Sequence, residues 1–203
     1  EATALILVLA SGFLIIGPIK AVGLYEASRL LEKGETPNLR AMVRVRVPSY
    51  LQMAYLGLLL MLIFIAWLRV ASILYALFFG LEPFPPISEF VPELLFTPNG
   101  LGLMVIGSGV GAIMALVVFV VTVVSAPMLA HRDIDFMTAV ISSIKAVRLN
   151  LGPMMLWAWL IALFMFFGLL SLGIGVIVLY PLIGHATWHA YRDLVAPEEN
   201  TSH

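Results

Sequence analysis

From Leu151 to Tyr191 no residue carries a formal charge, with His counted as neutral. As one helix that run would be about 60 Å long, about twice the thickness of a bilayer's hydrocarbon core. Two membrane-crossing helices must therefore share it. The sequence SLGIG, Ser171 to Gly175, is the glycine-rich break near its middle, so the run divides into spans over 153–170 and 174–191 joined by a tight hairpin.

The rest of the chain agrees. Of its 203 residues 62% are hydrophobic and 11% charged, and the mean hydropathy is +1.05, which marks an integral membrane protein rather than a core wrapped in solvated surface. Three further apolar stretches fit the roughly 20 residues a span needs. These are 2–25, 50–69, with Val70 to Gly80 either extending that helix or lying along the surface, and 101–126. The fold class that follows is all-α, a polytopic helical membrane bundle with five spans in this chain, forming one domain over 1–195 with a cytoplasmic tail over 196–203. The net charge of −1 carries no message about partners, because charges in such a chain act through their side of the membrane, and nothing points to nucleic acid. With no Cys, disulfides and thiolate metal sites are excluded, so any metal would use His and carboxylates.

Basic residues in short loops set the orientation. Glu26 to Ser49 carries Arg29, Lys33, Arg40, Arg44 and Arg46, and Pro127 to Asn150 carries Arg132, Lys145 and Arg148. Both segments belong in the cytoplasm. Leu81 to Gly100 holds Glu82, Glu89 and Glu93, no basic residue and several prolines, which makes it the outer loop. The C-terminus then falls inside. Glu1 falls outside with no Met before it, so a further helix upstream is expected. Within the second basic segment, Ile134, Met137, Val140, Ile141, Ile144 and Val147 are expected on one helical face, which reads either as an amphipathic helix on the inner leaflet with a basic end suited to anionic head groups or as a cap on the ends of the spans. Aligning Pro18 with Pro181 superimposes Tyr25 on Trp188, Ala27 on Ala190 and Arg29 on Arg192. An internal repeat and shared constraints on helix ends both explain that match.

Chemistry concentrates at the cytoplasmic face. His185 and His189 are one turn apart on a helix, and His131 sits at the inner end of the third span. With Glu26, Asp133 or Asp193 these three histidines form a candidate metal or haem site. Equally, His185, Trp188, His189, Tyr191 and Arg192 read as an interfacial belt, apolar in body and wet at the tip. Lys20 is explained by snorkelling to the inner interface. Arg69, after Trp67, is either an outer anchor or, if its helix is long and tilted, a buried functional charge seeking Glu82 or Glu93. Gly107, Gly111 and Ala115 form a small-residue stripe, with Ser108 and Ala112 beside it, and predict close helix packing. No phosphate loop, nucleophile elbow or intramembrane carboxylate pair is present, so catalysis is not expected.

Three segments together resemble one family: GFLIIGPIKAVGLYEASRLLEKGE at Gly12 to Glu35, VSAPMLAHRDIDFMTAVISSIKAV at Val124 to Val147, and PLIGHATWHAYRDLV at Pro181 to Val195. They look like the bacterial integral membrane family known as domain of unknown function 2189, across essentially the whole chain. The resemblance implies a proteobacterial inner-membrane protein of about six spans, one of them upstream, and assigns no reaction. The expected function is an accessory, assembly or stabilising subunit of a larger membrane complex, respiratory or photosynthetic. Its partners would be lipids and other subunits, met through the small-residue stripe and the MMLWAWLIALFMFFG surface of the fourth span. The alternatives are a small-solute transporter or channel and a metal- or haem-binding protein.

Overall fold

In the computed structural model residues 21–37, 45, 47–80, 84–171 and 173–195 are described. Every regular element among them is a helix. In chain order they are α1 (21–32), α2 (Tyr50–Phe79), α3 (Ile87–Phe96), α4 (Pro98–Thr122), α5 (Ser125–His131), α6 (Phe136–Leu149), α7 (Leu151–Leu170) and α8 (Ile174–Leu194). Tyr50–Phe79, Pro98–His131 and Leu151–Leu170 are long and apolar enough to cross a membrane, with mean hydropathies of 2.3, 2.6 and 2.1. The expected first span over 2–25 lies outside the described residues as far as Lys20, and so do Arg40, Arg44, Arg46, Glu82 and the 196–203 tail. α2 is a single helix of 30 residues, so Val70 to Phe79 extends it rather than lying apart.

The described residues group into two compact units, 58–118 in one and 21–57 with 119–195 in the other. In the first, α2 and α4 meet where glycine leaves room for a ring. A Cβ at Gly111 would lie 3.3 Å from the Trp67 ring, and one at Gly102 would lie 2.5 Å from that of Phe78. Tyr75 and Phe79 cluster with Phe84 and Phe90, with the Phe84 and Phe90 ring centroids 4.5 Å apart. Thr97 separates α3 from α4, its hydroxyl donating to Glu93 O at 2.6 Å and accepting from Gly100 N at 3.0 Å.

The second unit is organised around a break. Pro127 has no N–H to give the Val123 carbonyl and its ring crowds that position, so the helix that begins at Pro98 is interrupted at Val123 and Val124 before α5. The interruption is filled from α6. Ser143 Oγ donates to Val120 O at 2.7 Å and accepts from Val124 N at 3.2 Å, standing between two groups that would bond each other in a regular helix. α6 approaches this closely because Ala139, Ser143 and Ala146 are small, and all three are buried.

That contact divides the apolar face expected from the sequence. Val140 and Val147 are buried, while Met137 and Ile141 are 59% and 57% exposed, and Ile134 precedes the helix. Asp135 caps α6 by accepting from Thr138 N at 2.9 Å, and Gln52 accepts from Phe136 N at 2.8 Å. Asn150 alone separates α6 from α7. The α7–α8 turn is closed by Ser171, which bonds Gly168 O and Gly175 N at 2.7 and 2.8 Å. It depends on Gly173 at φ +83°, a left-handed conformation that costs a residue with a Cβ.

Candidate functional site

α1 and α8 run side by side in the same direction, and their residues meet in order. Gly184 permits the approach, since a Cβ there would lie 2.6 Å from Leu24 Cδ1 and 3.2 Å from Leu24 Cβ. Next, Tyr25 stacks on Trp188 with centroids 6.3 Å apart. Ser28, one turn before Glu32, meets His185, one turn before His189, so two polar pairs stand as successive rungs between the helices.

The first rung is buried on its serine side. Ser28 is 2% exposed; its hydroxyl donates to Leu24 O at 3.1 Å and lies 2.5 Å from His185 Nδ1. The His185 tautomer sets which of the two donates in that contact: a hydroxyl proton directed to Leu24 O pairs with a protonated Nδ1, and one directed to the ring with a bare Nδ1. The second rung is Glu32, which gathers three partners. Its Oε1 accepts from Trp188 Nε1 at 2.8 Å and lies 3.8 Å from His189 Nδ1, and its Oε2 lies 3.4 Å from Arg192 Nε. His189 and Arg192 are 63% and 38% exposed, so their ionic share is screened. The Trp188 bond matters more, because that indole is 1% exposed and a buried N–H without an acceptor is costly.

α5 closes the site from the other side. His131 meets the Trp188 ring edge-on at 5.3 Å, and its Nδ1 is 3.2 Å from the hydroxyl of Tyr191, a fully buried residue. The Arg132 guanidinium lies 6.0 Å above the Tyr191 ring. On α1, Arg29 grips Glu26 with two bonds of 2.7 and 2.6 Å. Those bonds hold the Glu26 carboxyl below the usual glutamate range against a desolvation penalty, helped by the charges of Arg29, Lys33 and His131. They raise the Arg29 guanidinium in turn. Between these groups is a cavity of about 10 Å³, as swept by the centre of a water-sized sphere, lined by Val22, Tyr25, Glu26, Arg29, His131 and Trp188 among others. It has room for about one water.

His131, His185 and His189 thus lie in one unit but face Tyr191, Ser28 and Glu32 respectively. Among the described residues no group of three His, Cys, Asp or Glu is placed to hold a metal ion. Arg69 is exposed inside α2. The small-residue stripe divides: Gly111 faces Trp67, whereas a Cβ at Gly107 would meet only Leu103 of its own helix, at 3.8 Å, and Ala115 is exposed. Sequence reasoning missed Ser28 and Glu32. The signal available was their one-turn spacing, which matches that of His185 and His189. What these contacts do is tie α1, α5 and α8 together at one end.

A family model of predicted integral membrane proteins, DUF2189, matches residues 5–131. The match takes in α1 to α5 and ends at His131, before α8. No curated protein and no solved structure matches the chain.

Proposed function

The chain belongs to the DUF2189 family of integral membrane proteins, and from that premise we propose that it is a non-catalytic subunit that assembles into or stabilises a larger complex of the bacterial inner membrane, respiratory or photosynthetic, with its C-terminus in the cytoplasm. One observation carries the reading. In the most apolar window of Pro98–His131 no residue is buried within the chain, and Ser108, Ala112 and Ala115 are exposed together on α4 with Gly107 open beside them. Small residues in a membrane helix favour close approach of another helix over contact with lipid tails, because packing rather than water exclusion drives association there.

The polar groups of the second unit support the same reading. They are spent on each other, at one end of α1, α5 and α8, which suits a scaffold that holds its own helices fixed while presenting α4.

Purification from native membranes in mild detergent tests it. A partner at fixed stoichiometry is expected, and Gly107→Leu should release it without unfolding the chain, because a Cβ there would meet only Leu103 of its own helix, at 3.8 Å. Gly111→Leu is the poorer probe, since it also strikes the Trp67 ring. A partner fully retained by Gly107→Leu would remove α4 as the docking helix, and a chain that purifies alone from native membranes would refute the subunit role.

A further inference from the structure

The rotation of α6 leaves one ridge of that helix uncovered. Met137, Ile141, Lys145 and Leu149 follow each other at one-turn intervals, all exposed, with Arg148 beside the last pair. Leu149 is 73% exposed. α6 itself contains no acidic residue, and Asp135, just before it, is occupied in capping Thr138.

Chain connectivity says where this ridge lies. α6 is joined to the candidate span Pro98–His131 by residues 132–135 and to the candidate span Leu151–Leu170 by Asn150 alone. Both its ends are therefore held at the boundary of the bilayer. A helix of 14 residues tethered at both ends lies along that boundary, about 21 Å of it. A surface with alternating apolar and basic residues at that depth fits a leaflet whose acyl chains begin below and whose head groups are negative.

We propose that the exposed ridge of α6 is a binding surface for anionic phospholipid, with Met137, Ile141 and Leu149 inserted at the head-group boundary and Lys145 and Arg148 engaging the phosphates. It rests on the membrane-spanning helices, not on the proposed subunit role, and holds whether or not the chain has protein partners. Arg148 also sits in the last turn of α6, where a cation complements the helix dipole. That local role predicts a change in stability but no choice between lipids.

Native mass spectrometry of the full chain in detergent, titrated with phosphatidylglycerol or with phosphatidylcholine, separates the two. Basic residues near an anionic surface are worth about fivefold each, so the first lipid bound should favour phosphatidylglycerol by about thirtyfold at low salt. Lys145→Gln with Arg148→Gln should abolish the preference, beyond any small fall in melting temperature from the lost helix-end cation, and Lys145→Arg with Arg148→Lys should keep it. A preference that survives in the double glutamine variant overturns the assignment, as does its absence from the unaltered chain. Because the chain has no Cys, Ile141→Cys gives a single site for a nitroxide. In vesicles of phosphatidylcholine mixed with phosphatidylglycerol the label should sit at head-group depth, and an aqueous position refutes the proposal. A label immobilised only in native membranes, together with no lipid preference, would make the ridge a protein contact instead.

Discussion

Ser143→Ala removes two hydrogen bonds from a fully buried part of the second unit. Ser143 and Val124 are both fully buried, and the hydroxyl is the group that bridges Val120 O to Val124 N across the helix break. Without it the two backbone groups have two options. They stay apart and unpaired, at about 1–3 kcal/mol for a buried group left without a partner, or they close on each other and straighten the helix. The second course is opposed by Pro127, whose ring still displaces the Val123 carbonyl and fixes the break. Hydrogen bonds between membrane helices average only about 0.6 kcal/mol, because the unfolded chain also finds partners. Backbone groups at a proline break cannot choose new partners so freely, and a loss of about 1–2 kcal/mol is expected. Reversible unfolding in mixed micelles measures it, with half-buried Ser142→Ala as the control expected to be silent. A Ser143→Ala loss no larger than that of the control would refute the reasoning, and would mean that the break is held by Pro127 alone.

Two further outcomes are expected. Gly184→Leu should separate α1 from α8, since even a Cβ there comes within 2.6 Å of Leu24; Trp188 fluorescence should shift red and the melting temperature fall, while Gly184→Ala, which needs only the flexible end of the Leu24 side chain to turn aside, should be milder. Stability should fall with acid in a way that depends on Glu26: its folded carboxyl titrates below the ordinary value of 4.5, so its stabilising bond to Arg29 is complete above 4.5 and is lost as pH drops through the lower folded value. Glu26→Gln should flatten that part of a melting-temperature profile, and an unchanged acid slope would show that Asp135, held low by Thr138, or another carboxylate carries it.

The helical membrane architecture was legible because it rests on runs of apolar residues that no other environment tolerates, and the α7–α8 turn because SLGIG offers the left-handed Gly173 and the small Gly175, which meets Gly168 of α7 as a tight return requires. The orientation of α6 was not. Hydrophobic periodicity asks which face is apolar, and in a membrane protein apolar faces are suited to lipid as well as to protein, so Met137 and Ile141 could not be assigned inward from pattern alone. What decides the inward face is size and one hydroxyl: alanines that permit approach and a serine that completes a broken backbone ladder.

The same logic applies to the histidines. His185 and His189 share a helical face, but metal binding needs a third group to converge on them. Their actual neighbours, Ser28 and Glu32, carry the same one-turn spacing on a helix 157 residues away in sequence. That shared spacing is what allows two parallel helices to pair polar groups rung by rung, and it turns the Tyr25–Trp188 correspondence from a sequence echo into a contact across the helix pair. The faces of α4 and α6 proposed to meet a partner helix and the lipid head groups are, by contrast, exposed apolar and small residues.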